Sequence, residues 1–166
     1  MKTYTVDVIQ SKISFAVKLL NTIVKGTFDS YSASLKCDSL QQLNNAEIII
    51  EIDAASLNTN EPIRDQHLKS KDFFDTDLFP KILFTNVIIE PNGNNTYSLT
   101  GDLTIKHLTH RVTFHVVEQQ SDVPTYMCTT TVTRQQYELT YNPIFEKINQ
   151  LGDDVFIEVL FVISAA

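Results

Sequence analysis

The sequence predicts an all-β fold, an antiparallel barrel or sandwich of about eight strands with one or two short helices. Apolar and polar residues alternate with a period of two along most of the chain, as expected when one sheet face is buried and the other is wet. Turn-forming residues stand between the alternating segments at hairpin spacing. Only two segments show helical spacing, whereas a parallel sheet would need a crossover helix after nearly every strand.

In chain order, Ile13, Phe15, Val17 and Leu19 alternate with Ser14, Ala16 and Lys18. Val24, Gly26 and Phe28 then alternate with Lys25 and Thr27, which predicts two paired strands. Tyr31, Ala33, Leu35 and Cys37 predict a third strand, and Ile48, Ile50 and Ile52 a fourth. After Pro80, Ile82 and Phe84 lead a strand to about Glu90. Pro91-Asn92-Gly93-Asn94-Asn95 then supplies turn residues that tolerate positive φ before Tyr97. Tyr97, Leu99, Gly101, Leu103 and Ile105 alternate with polar residues, and a turn near 106–110 leads to Val112, Phe114 and Val116. The stretch 125–134 is rich in Thr and Tyr, which suit a pleated surface, and 155–163 is so apolar that a strand covered on both faces is expected.

The helical segments are 62–75, where Ile63, His67 and Leu68 share a face, and 142–152. In the second, Asn142 suits the N-cap, Pro143 the first turn and Gly152 a left-handed end, with Ile144, Phe145, Ile148 and Leu151 as the apolar stripe.

A chain of 166 residues fits a single domain, 1–166, that buries roughly 70% of its unfolded surface. Its 20 acidic and 13 basic side chains give a net charge of −7, which repels phosphate backbones and argues against a nucleic-acid partner. Cys37 and Cys128 are too few for a disulfide framework and too far apart for a CxxC motif, so free buried thiols are expected. No apolar run reaches the ~20 residues of a membrane-spanning helix. The amino terminus has no run of signal-peptide length, which predicts a cytoplasmic protein, or a secreted or periplasmic one if a signal has been removed.

An eight-stranded barrel is wide enough either to be filled by its own side chains or to hold one small ligand. The inward set mixes bulky Phe15, Phe28, Phe84 and Phe114 with Ala33, Gly26 and Gly101, and no tryptophan plugs the centre. On these grounds a packed core and a cavity stand even.

The run Arg64-Asp65-Gln66-His67-Leu68-Lys69-Ser70-Lys71-Asp72-Phe73-Phe74-Asp75 resembles the RDxHLxSxDFFD signature of the YceI-like family. Further pieces follow in the family's order: Asp7 and Ser11, Val24-Lys25-Gly26-Thr27-Phe28, Asp53 with Ser56 and Thr59, and Phe79-Pro80. Gly101-Asp102-Leu103-Thr104-Ile105 is similar to its GxLTI strand, Thr109 and Val112 match its hairpin, and Leu151-Gly152-Asp153-Asp154-Val155 is similar to its closing VGDxV. The resemblance spans nearly the whole chain. It implies an extended, lipocalin-like antiparallel β-barrel that binds an isoprenoid quinone, a polyisoprenoid or a fatty-acid derivative in its interior, often as a homodimer; no catalytic activity is established for the family, and neither an enzyme nor a cofactor is expected. Tyr4 fits the aromatic residue usual near the start, whereas Leu19 stands where the family commonly has His, His107 where it has a turn Gly, and Arg111 where it has Pro.

The expected ligand-binding set is Phe15, Val17, Leu19, Val24, Phe28, Arg64, Asp65, His67, Phe73, Phe74, Phe84 and Phe114. For Arg64, Asp65 and His67 two readings stand: a polar lid over an aromatic mouth, or local pairing that fixes a helix against the barrel end. His107, His110 and His115 lack an accompanying ligand set, so no metal is expected. Glu51, Asp53, Asp72 and Asp75 read as solvated surface, and neither a GxSxG elbow nor a Gly-rich phosphate loop is present. The alternatives to a lipid carrier are a packed barrel acting as a stress-related scaffold and a small lipocalin-like enzyme.

Overall fold

The computed structural model describes residues 1–164, the side chain of Asn149 excepted. Its strands are β1 (Lys2–Thr5), β2 (Lys12–Leu19), β3 (Thr22–Phe28), β4 (Tyr31–Cys37), β5 (Glu47–Asp53), β6 (Leu57–Asn58), β7 (Lys81–Gly93), β8 (Thr96–Ile105), β9 (Leu108–Gln119), β10 (Thr125–Thr133) and β11 (Leu151–Val162). Helix α1 is Pro62–Lys69 and α2 is Pro143–Asn149. All paired strands are antiparallel, in the order β1-β4-β5-β7-β8-β9-β10-β11-β2-β3-β6.

The sheet curls until it meets itself. Val6, just past β1, bridges Ile163, just past β11. Asp7 N–H donates to the Val162 carbonyl and Ser164 N–H to the Thr5 carbonyl, each at 2.8 Å. At this end the ring runs through β1, β4, β5, β7, β8, β9, β10 and β11, an eight-membered barrel. At the other end β2 and β3 lie beside β11, and β6 finishes that edge. Eleven strands are described against the predicted count of about eight; β1 and β6, of four and two residues, are too short to show a period.

Three tight hairpins fix the register, each with a two-residue loop that requires positive φ. Leu20 (φ 55°) turns β2 into β3, Asn94 and Asn95 (52° and 58°) turn β7 into β8, and Lys106 (57°) turns β8 into β9. Strand β7 also carries a bulge at Asn86, itself left-handed at φ 53°, where the register with β8 slips between Thr85 and Ile88. The slip changes the parity of the strand, so that Ile82 and Phe84 are buried on one side of it and Ile89 on the other. Arg111 secures the bulge, donating to the Asn86 carbonyl at 3.0 Å and to Asp102 at 3.1 Å. Hydrogen bonds from Asn86 and then from Arg111 hold the Asp102 carboxyl below its ordinary pKa.

Helix α2 starts as expected, with the Asn142 side chain accepting from Ile144 N–H at 2.9 Å. Its left-handed end is Gln150 (φ 48°), not Gly152, which already belongs to β11 and lies against Lys18 of β2. The apolar stripe also departs from expectation: Ile144 and Ile148 are 69% and 68% exposed. Strand β11 is not covered on both faces either, since Phe156 points outward and is 43% exposed. Among the described residues, no helix is long and apolar enough to cross a membrane.

Candidate functional site

The inward faces of the strands surround two apolar chambers that meet in the middle of the barrel. The first, of about 130 Å³, lies beneath α1 and is lined by Phe15 and Val17 of β2, Phe28 of β3, Leu68 of α1, and Phe73 and Phe74 of the turn after it. Val155 and Ile157 of β11 continue the wall beside Val17 and Phe15, and Leu103, Ile105 and Val132 complete the lining. The second chamber, of about 60 Å³, is lined by Leu35, Leu43, Ile48, Ile89 and Leu99, together with Tyr97, Tyr126 and Cys128. Ile50, Phe84, Phe114 and Val159 belong to both linings and form the waist between them.

Two glycines shape this space by what they lack. Phe15 faces Gly26 across the β2–β3 pair, and a Cβ on Gly26 would overlap the far end of its ring. Likewise a Cβ on Gly101 would stand 2.7 Å from Phe84 Cζ. Both rings therefore lie back into notches in the wall instead of crossing the lumen. Phe84 packs edge-on against Phe114 at 5.3 Å between centroids, and Phe28 touches Phe15 at 5.4 Å and Phe74 at 5.9 Å.

Above the larger chamber, Tyr141 joins the two helical segments, its ring 5.2 Å from Phe73 and 4.6 Å from Phe145, with His67 at 6.3 Å. The polar anchor of this end is Arg134, only 4% exposed. Its Nε donates to the Gly152 carbonyl, one terminal nitrogen to the Leu139 carbonyl and the other to Glu146 of α2, each at 2.7 Å. Glu146 in turn accepts from Tyr141 N–H at 2.7 Å. Tyr137, fully buried nearby, donates its hydroxyl to the Leu103 carbonyl at 3.0 Å.

Of the residues expected from the sequence, Phe15, Val17, Phe28, Phe73, Phe74, Phe84 and Phe114 come together around the lumen. Val24 is buried opposite Val17 and Leu19 half-buried opposite Leu151 and Thr22, both outside the two linings. Arg64 and Asp65 turn to Thr59 instead: Arg64 donates to its hydroxyl at 2.8 Å and its carbonyl at 2.9 Å, while Asp65 accepts from its N–H and its hydroxyl. Arg64 also pairs with Glu61 at 3.1 Å. This is the local pairing that fixes α1, and His67 stays exposed beside Tyr141.

The histidines separate as well. His107 sits in the β8–β9 turn against Phe79 and 3.7 Å from Glu138, whereas His110 is not in the turn but on β9, bonded to the Gln136 carbonyl and edge-on to Tyr137. Sequence reasoning missed Arg134, although it shares the inward parity of Cys128 and Val132.

Burial pushes the Cys128 thiol and the Tyr137 phenol up to about 12, from ordinary values of 9.0 and 10.0. Both groups are neutral when protonated, so their raised pKa values stabilise the fold fully below pH 9, and that contribution is lost as pH climbs toward about 12. Alkaline titration is expected to ionise these groups and melt the strands together between those limits. Tyrosinate absorbance followed beside circular dichroism checks this, and early ionisation of every tyrosine without loss of strand signal would contradict it.

The YceI-like domain model matches residues 4–163. The chain belongs to the YceI-like family. A UPF0312 protein of Staphylococcus aureus is 34% identical over 95% of both chains. Among solved YceI-like folds, BcnA of Burkholderia cenocepacia superposes with a TM-score of 0.87 at 28% identity, covering 96% of this chain and 99% of that one. A polyisoprenoid-binding domain from Saccharophagus degradans superposes with a TM-score of 0.71 at 15% identity over 98% of both. The YceI-like barrel is thus retained even where little sequence is shared.

Proposed function

We propose that the barrel binds one long apolar amphiphile, an isoprenoid quinone, a polyisoprenoid or a fatty-acid derivative, for transport, storage or sequestration. The observation that carries this reading is the pair of apolar chambers joined at a waist of Ile50, Phe84, Phe114 and Val159, with rings drawn back into glycine notches. Burying a methylene contributes about 0.8 kcal/mol, so a chain needs few polar contacts to bind well. The polyisoprenoid-binding domain that shares the fold supports the chemistry of the ligand. A carrier role fits the polar residues better than catalysis does, because Arg64, Asp65 and Arg134 spend their hydrogen bonds on the protein itself.

Protein purified without detergent and extracted with organic solvent is expected to yield a chain lipid at about one per barrel, identified by mass spectrometry. An empty extract together with no uptake of added quinone or prenol would reject the proposal.

A further inference from the structure

The waist does more than narrow the lumen. Phe84 rests in the notch left by Gly101, against Phe114, and these two rings stand between the chamber of about 130 Å³ and that of about 60 Å³. We infer that the Phe84–Phe114 pair, seated by Gly101, is a gate that sets the length of chain the barrel accepts. The inference rests on the reading that the interior holds an apolar chain.

An apolar cavity of about 150 Å³ takes a molecule the size of benzene, so the larger chamber holds a segment on the order of six carbons and the smaller about half of that. A longer chain in either chamber meets the Phe84–Phe114 pair. To reach the other chamber it must pass between these rings and the facing wall, and the width of that passage depends on Phe84 keeping its seat at Gly101, where a Cβ would stand 2.7 Å from Phe84 Cζ. Phe84 therefore divides chains that stop at the waist from chains that must thread it, and Gly101 decides how far back the ring can lie.

The test is the affinity of a series of linear alcohols from propanol to hexadecanol, measured by calorimetry. For the unaltered protein, affinity should rise about fourfold per added methylene and then break to a shallower slope. Phe84→Ala should move the break to chains several carbons longer. Gly101→Ala, which pushes the ring into the lumen, should move it to shorter ones. Phe84→Leu, a milder opening, replaces either variant if it fails to melt cooperatively. A break at the same length in all folded variants, or no break in the unaltered protein, would overturn the gate. Absence of binding at every length would instead reject the carrier reading on which it rests.

Discussion

Arg134→Met should destabilise the fold by about 3 kcal/mol or more, because it strips a buried ion pair of one partner and leaves the other without compensation. Arg134 is 4% exposed, and its guanidinium joins the Gly152 and Leu139 carbonyls to Glu146. Removing it frees the Gly152, Leu139 and Leu151 carbonyls and a carboxylate at the end of the barrel, and detaches α2 and the Tyr141 segment that Glu146 holds. For a chain of this size such a loss lowers the melting temperature by roughly 10 °C. Combining Arg134→Met with Glu146→Leu should recover part of it, since an apolar pair can replace an ionic one at little cost once both charges are gone. Urea unfolding of the single and double variants measures this. A single variant within about 0.5 kcal/mol of the parent would show that the pair is exchanged for water.

The second large effect separates two neighbours on β5. Ile50 lines both chambers, whereas Ile49, next along the strand, points outward and is 53% exposed. Ile50→Glu places a carboxyl in the apolar waist, and affinity for a chain ligand should fall about 100-fold or more, because either the charge or its desolvation opposes the chain. Ile49→Glu should leave binding and melting unchanged. Binding retained in both variants would place the ligand outside the barrel. Binding lost in both, with intact folding, would break the link between strand parity and function.

That contrast rests on the feature most legible in the sequence. Alternation at Ile13–Val17, Ile48–Ile52 and Val112–Val116 gave the strands and their inward faces directly, because a curled sheet buries one side of every strand. Phe15, Phe28, Phe84 and Phe114 of the lining followed from the same parity, whereas Phe73 and Phe74, in the turn after α1, were expected only from the signature motif. The bulge at Asn86 did not, since nothing in a polar residue between Phe84 and Val87 announces an extra unpaired position. Helix stripes misled for a related reason: helical spacing says which residues share a face, but not that a partner covers it, and Ile144 and Ile148 stay exposed. The size of the lumen was out of reach altogether, because it depends on Phe15 and Phe84 lying back over Gly26 and Gly101 on facing strands, a relation between residues 11 and 17 positions apart.

The claim that the interior is a lipid site is tested most directly by an electron-density map of protein crystallised without delipidation. Continuous tubular density is expected, running from beneath Phe73 and Phe74, past Phe84 and Phe114, toward Tyr126. A lumen filled by its own side chains, with any lipid density lying on the outer wall, would contradict it.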